Sequence, residues 1–124
     1  MADAPKKKPV REEEQSAGQD RLPPQDLVAE RAVLGSMLIE PEAVGKAIEI
    51  LEPDDFYKSS HREVLRVMID LFSQTEPVDI LTVASALSKE KKLDAVGGNS
   101  FLTELANNVP SAANVEYHAR IVLE

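Results

Sequence analysis

Residues 27–38 read Leu-Val-Ala-Glu-Arg-Ala-Val-Leu-Gly-Ser-Met-Leu, and this stretch decides the fold class. Its apolar residues recur at spacings of three and four, the pattern of a helix with one buried face. Gly35 lies within that face, where glycine costs roughly 1 kcal/mol relative to alanine. We therefore expect Gly35 to mark a close approach to a second helix.

The same three- and four-residue spacing returns along the rest of the chain, and breakers separate the periodic stretches. The strongest breakers are Pro41, Pro53, Pro77, Gly97-Gly98 and Pro110. No stretch alternates apolar and polar residues between hairpin turns, as a half-buried strand would. The sequence predicts an all-α fold, a compact orthogonal bundle of about six helices. Its predicted core includes Leu34, Phe56, Leu65, Phe72 and Leu102.

Capping residues indicate where the helices begin, because a side-chain oxygen can accept a backbone N–H of the first turn. The expected N-caps are Asp26, Ser59 or Ser60, Asp79 and Ser111. The last helix reaches Glu124 without a C-terminal cap. We therefore expect the parent chain to continue within that helix.

Residues 1–21 differ in composition from the rest of the chain. They contain Lys6-Lys7-Lys8 and Glu12-Glu13-Glu14 and almost no apolar side chain. Such a segment buries too little surface to offset the entropy lost when it is ordered. We expect a disordered tail at 1–21 and one helical domain at 22–124.

The chain carries 22 acidic and 14 basic residues, a net charge of −8, and it has no cysteine. Nucleic acids are held mainly through lysine and arginine contacts with phosphates, so an acidic domain is a poor candidate for strong DNA binding. Disulfide and thiolate chemistry are excluded. Because no apolar run is long enough for a signal peptide or a membrane span, we expect a cytoplasmic protein without membrane contact.

The sequence contains no motif for catalysis, nucleotide binding or metal binding. Gly97-Gly98 is followed by Asn99-Ser100, without the lysine that a phosphate-binding loop requires. His61 is followed by Arg62-Glu63, which does not supply a second metal ligand one helical turn away. Packing or capping is the favoured role for His61, and a surface or interface position for His118. We expect no catalytic, cofactor-binding or metal-binding residue here, and hence no enzyme.

Five sparse motifs occur in order along residues 22–124. They are Leu22-Pro23-Pro24 with Ala29-Glu30 and Ala32-Val33-Leu34-Gly35-Ser36-Met37-Leu38, Asp54-Asp55-Phe56-Tyr57 with His61, Pro77-Val78-Asp79 with Thr82-Val83, Leu93-Asp94-Ala95-Val96-Gly97-Gly98, and Pro110-Ser111-Ala112-Ala113-Asn114 with Tyr117 and Ile121-Val122. Each motif is weak alone. Together, in this order, they resemble the N-terminal domain of bacterial replicative DNA helicases of the DnaB family. Lys91 stands where that family often has glycine, and Asn99 where an apolar or aromatic residue is common.

The resemblance implies a module without a motor of its own. In the complete helicase a RecA-like ATPase would follow, with ATP and Mg²⁺ as its cofactors, and this domain would form part of an N-terminal collar on a hexameric ring. The resemblance also implies dimerisation, with contact residues Asp79, Gly98, Asn99 and Phe101. The expected partners are a second copy, the C-terminal domain of primase and a helicase loader.

Three alternatives stay open at this point. The helicase-binding domain of primase has a similar helical fold, although the Pro-Pro opening and the Asp-Asp-Phe-Tyr motif favour the helicase. A helical DNA-binding module would need clustered arginine and lysine, yet Glu63 separates Arg62 from Arg66. The third alternative is a helical module that self-associates without any role in replication.

Overall fold

Seven α-helices make up the part of the chain that the computed structural model describes, residues 24–109 and 111–124. They are α1 (Pro24–Ile39), α2 (Pro41–Ile50), α3 (Ser59–Ser73), α4 (Ile80–Lys89), α5 (Leu93–Val96), α6 (Gly98–Asn107) and α7 (Val115–Leu123). Short 3₁₀ turns at Pro53–Asp55 and Ala112–Asn114 precede α3 and α7. The all-α fold expected from the sequence is confirmed. The tail expected at 1–21 lies outside the described residues.

Helix α1 occupies the centre of the bundle and packs against α2, α3, α6 and α7. Every residue from 33 to 38 is buried, so this part of the helix is enclosed on most sides. At Gly35 the backbone of α6 comes very near. A Cβ at this position would lie 3.0 Å from the carbonyl carbon of Leu105 and closer still to the carbonyl oxygen. The close packing expected at Gly35 is therefore with α6.

Four of the five side chains expected in the core are buried, namely Leu34, Phe56, Leu65 and Leu102. The prediction for Phe72 was wrong, because this residue is 47% exposed. Apolar residues cover more than one stripe of α3, so their spacing could not decide which edge faces inward. Helix α3 buries Leu71 instead. The Phe72 ring lies beside Gly45 of α2, at the edge of the bundle.

One of the expected caps, Asp79, is present, whereas Ser111 caps the 3₁₀ turn before α7 and not α7 itself, whose N-cap is Asn114. The Asp79 carboxylate accepts the Thr82 N–H at 2.9 Å and caps α4. The Ser111 hydroxyl accepts the Ala113 N–H at 3.1 Å and caps the 3₁₀ turn that leads into α7. Both Asp79 and Ser111 have an extended backbone, which is the usual conformation of a capping residue, and each has a short polar side chain.

The other two cap predictions were wrong. Helix α1 begins at Pro24, so Asp26 lies within its first turn, where a negative charge is favoured by the helix dipole. Helix α3 begins at Ser59 itself. The residue before it, Lys58, forms no side-chain cap bond. The residues just before α3 are held instead by a side chain of α1.

The segment between α4 and α6 holds one helix that the sequence pattern did not reveal. Helix α5 spans a single turn, which is too short for a periodic spacing of apolar residues. Just before it, Lys91 has φ = +61°, a left-handed conformation that favours glycine. Ion pairs tie this segment to α3: Arg66 binds Glu90, and Lys92 binds Glu63 at 3.1 Å.

Candidate interaction surface

The residues expected to mediate self-association lie at the starts of α4 and α6, two helices that pack against each other. Asp79 and Thr82 form a capping box at the start of α4. The Asp79 carboxylate accepts the Thr82 N–H, and the Asp79 N–H donates to the Thr82 hydroxyl at 3.0 Å. The Asp79 side chain is therefore engaged within its own helix, and it stabilises the start of that helix.

Leu81 is an apolar side chain at this surface that was not expected from the sequence. It is 77% exposed and lies in the first turn of α4, two residues after Asp79. Val83 and Leu87 of the same helix are buried, and Leu81 is out of phase with them. That phase difference is the signal that could have identified it. Leu81 adds apolar area that contact with another chain could cover.

The 98–101 segment forms the first turn of α6 and follows a glycine turn. Gly97 has φ = +122° and Gly98 has φ = +75°, conformations that strain a residue with a side chain. Asn99 is exposed, whereas Phe101 is half-buried. Asn99 is therefore accessible to another chain, whereas the Phe101 side chain is partly exposed and partly packed against the interior.

A groove of about 450 Å³ opens beside Phe101, between α1, α6 and α7. Its apolar lining includes Val28, Phe101 and Leu105, and its polar edge includes Arg31 and Glu104. An apolar floor with charges of both signs at the edge resembles the composition of protein–protein contacts. The groove extends the accessible surface around the 98–101 segment.

A buried carboxylate, also not expected from the sequence, lies behind this surface. Glu30 of α1 is 1% exposed, and its oxygens accept the backbone N–H of Tyr57 at 2.5 Å and of Lys58 at 3.5 Å. These N–H groups lie at the start of α3, where the helix dipole favours an anion. Glu30 therefore holds, from a different helix, the two residues that lead into α3. Its helical phase with Val33 and Leu34 was the signal for its burial.

The imidazole of His61 pairs with Glu30. Its Nδ1 lies 2.6 Å from Oε1 of Glu30, and because an ionised carboxylate only accepts, Nδ1 carries the proton. The buried Nε2 has no hydrogen-bond partner among the residues that the structure describes. The ring stands edge-on to Phe56 at 6.2 Å and stacks on Phe101 at 5.9 Å between ring centroids. His61 has the packing role that its sequence context favours.

The environment of His61 predicts a pH-dependent stability. Burial lowers the pKa of His61 below its usual value, Lys58 and Arg31 act in the same direction, and Glu30 opposes them. The unfolded chain therefore binds more protons than the folded chain just below pH 6.5, which favours unfolding there. We expect the free energy of unfolding to rise as the pH approaches 6.5 from below, by at most about 1.4 kcal/mol per pH unit from this group.

Denaturant titrations at closely spaced pH values measure this slope. His61→Asn keeps a donor near Glu30 but removes the titrating imidazole, so it should flatten the curve in the same pH window. A slope that is unchanged in His61→Asn would assign the effect to other groups.

Neither a metal-binding cluster nor a membrane-spanning helix occurs among residues 24–109 and 111–124. No three histidine or acidic side chains in these ranges converge as metal ligands would. None of the helices in this part of the chain combines the length and the apolar character needed to cross a bilayer.

One protein-family model, for the DnaB-like helicase N-terminal domain, matches residues 22–124. The replicative DNA helicase DnaC of Bacillus subtilis is 51% identical over 105 residues, which cover 85% of this chain and 23% of the relative. The replicative DNA helicase DnaB of Geobacillus stearothermophilus is 48% identical over 105 residues, with the same coverage of 85% and 23%. The chain thus spans about a quarter of the length of these curated relatives.

A solved structure agrees with the family model. The crystal structure of the N-terminal domain of DnaB helicase from Mycobacterium tuberculosis matches with a TM-score of 0.78 and 43% sequence identity, covering 82% of this chain and 71% of that one. These findings confirm the resemblance carried by the five motifs and favour the helicase over the helicase-binding domain of primase. The chain belongs to the family of DnaB-like helicase N-terminal domains.

Proposed function

We propose that this chain is the N-terminal assembly and docking module of a hexameric replicative DNA helicase that works in the cytoplasm. The observation that carries the proposal is the family match over residues 22–124. Two relatives named as replicative DNA helicases support it, and the chain corresponds to 23% of each. In this proposal the motor, a RecA-like ATPase that uses ATP and Mg²⁺ to unwind duplex DNA, belongs to the remainder of the parent protein.

The first task of the module is to pair with a second copy and so build a collar on the ring. Two identical domains meet most simply across a twofold axis, where one patch contacts the same patch of the other copy. We place that patch at the starts of α4 and α6. Its proposed residues are Asp79, Gly98, Asn99 and Phe101, and we add the exposed Leu81, two residues after Asp79.

Asn99→Phe should tighten this pairing. An exposed asparagine contributes little apolar area, whereas a phenylalanine at this position would bury some of its ring between the two copies. We expect micromolar or weaker association of the wild type, no more than about 8 kcal/mol. Burial of about 60 Å² of added apolar area would make the variant roughly tenfold tighter. Sedimentation equilibrium over a range of concentrations measures both constants.

The matched control is Asn107→Phe, because Asn107 is an exposed asparagine at the other end of the same helix. It should leave the association constant at the wild-type value. Equal tightening by the two variants would place the contact elsewhere, and a monomer in both wild type and Asn99→Phe would contradict the pairing itself.

The second task is to dock the C-terminal domain of primase and a helicase loader. The net charge of −8 and an acidic cleft lined by Asp26, Asp54 and Asp55 favour protein partners with a basic face. The same charge repels phosphates, so we expect no tight binding of single-stranded DNA near physiological salt.

Isothermal titration calorimetry with the C-terminal domain of primase tests the docking role. We expect a measurable heat of binding that weakens as salt is added, because charges on the two proteins attract each other. A chain that self-associates but gives no heat with primase would be an assembly module only.

A further inference from the structure

Phe101 connects the buried Glu30–His61 pair with the surface. Its ring stacks on the imidazole of His61 with an interplanar angle of 7°, and it also lines the groove between α1, α6 and α7. The same side chain lies against Gly97, where an added Cβ would be only 2.7 Å from the Cβ of Phe101. Phe101 is therefore held by an imidazole and by a turn that has room only for glycine.

The plane of the His61 ring is itself fixed. A neutral imidazole has one N–H group, and the Glu30 carboxylate accepts it at Nδ1. That carboxylate is held in turn by the N–H groups of Tyr57 and Lys58. The plane on which Phe101 stacks is thus determined by groups on α1 and at the start of α3, outside the 98–101 segment.

We propose that His61 is the positioning residue of the 98–101 segment. It is fully buried, yet the orientation of its ring determines where Phe101, and with it Asn99, is presented to a second copy. The inference rests on the proposed self-association through that segment. It gives the buried pair a role in assembly besides its contribution to folding.

His61→Asn separates the two contacts of the imidazole. The asparagine amide can still donate to Glu30 from near the position of Nδ1, but no ring remains for Phe101 to stack on. Val44→Ala is the control for loss of stability alone, since Val44 is buried in α2, which packs against α1, α3 and α7. Thermal unfolding of the full chain shows how much stability each variant loses.

Two further measurements distinguish a change in the position of residues 97–101 from a change in the self-association of the chain. Amide ¹H–¹⁵N spectra at low concentration report the position of residues 97–101, and sedimentation equilibrium reports self-association. We expect His61→Asn to shift those amides and to weaken pairing roughly three- to tenfold, the effect of losing one aromatic stack. Val44→Ala should do neither. In a Phe101→Leu background, His61→Asn should weaken pairing no further.

His61→Phe keeps a ring and loses the donor, so it serves as the second variant. It should leave the amides of residues 97–101 near their wild-type positions in spite of lower stability. Unchanged amides in His61→Asn, or equal weakening of pairing by Val44→Ala, would overturn the positioning role. If the amides shift but neither wild type nor Asn99→Phe self-associates, the proposed function has failed and the positioning of Phe101 by His61 is supported.

Discussion

Glu30→Ala should lower the free energy of unfolding by about 3–5 kcal/mol. Without the carboxylate, the buried Nδ1–H of His61 loses its acceptor at a cost of about 1–3 kcal/mol, and the part-buried N–H of Tyr57 loses its acceptor as well. The cavity left by the shorter side chain adds to this cost. Because a small domain has only about 5–15 kcal/mol in total, the variant would lose a large fraction of its stability.

Urea unfolding followed by circular dichroism measures this change. The matched control is Glu49→Ala, since Glu49 is an exposed glutamate on α2, and it should change stability by less than about 0.5 kcal/mol. The loss of stability in Glu30→Gln should lie between those of Glu30→Ala and Glu49→Ala, because the single amide oxygen can accept only some of the hydrogen bonds that the carboxylate accepts. A loss in Glu30→Ala no larger than in Glu49→Ala would mean that water replaces the carboxylate at little cost.

Gly35→Ala should lower the free energy of unfolding by about 2 kcal/mol or more. Alanine is intrinsically favoured over glycine in a helix by about 1 kcal/mol. At Gly35, however, the added methyl group would overlap the carbonyl of Leu105, a backbone group of α6 that can move only if the two helices separate. Overpacking of this kind costs about 1–3 kcal/mol or more, which outweighs the helix preference.

Gly45→Ala is the matched control, and its effect should have the opposite sign. At Gly45 the methyl group would meet only the tip of the Phe72 ring at 3.7 Å, an ordinary contact distance. The helix preference then prevails and should add up to about 1 kcal/mol. Thermal unfolding of the two variants side by side measures both changes. A higher Tm in Gly35→Ala as well would mean that α1 and α6 are not in close contact at this point.

Periodic spacing and breakers were sufficient to predict the all-α fold, because the long helices follow the three- and four-residue apolar spacing and α1, α2, α3 and α6 each end a few residues before a proline. Gly35 could be interpreted as a helix contact. Glycine lowers the stability of a helix, and the close approach of a second backbone is the usual reason for it on a buried face. Its partner, α6, could not be inferred, because spacing contains no information about which helices meet. Phe72 was misplaced since α3 carries apolar residues on more than one stripe, and two rotations of the helix satisfy the pattern equally well.

The candidate interaction surface was harder to predict from the sequence than the fold. The residues at the starts of α4 and α6 came from the resemblance, while Leu81 and Glu30 were not expected. Both carry a local signal, because Leu81 is out of phase with the buried face of α4 and Glu30 is in phase with that of α1. The pairing of Glu30 with His61 carries no local signal, because 31 positions of sequence separate the two residues.

The long-range contact that holds the residues before α3 has a consequence for the order in which the chain folds. The N–H groups of Tyr57 and Lys58 find their acceptor 27 and 28 positions earlier in the chain. The first turn of α3 therefore has no local capping group, and an uncapped helix end frays. This turn becomes stable only when α1 docks against it. We therefore expect the first turn of α3, which carries His61, to be the last part of this helix to become ordered.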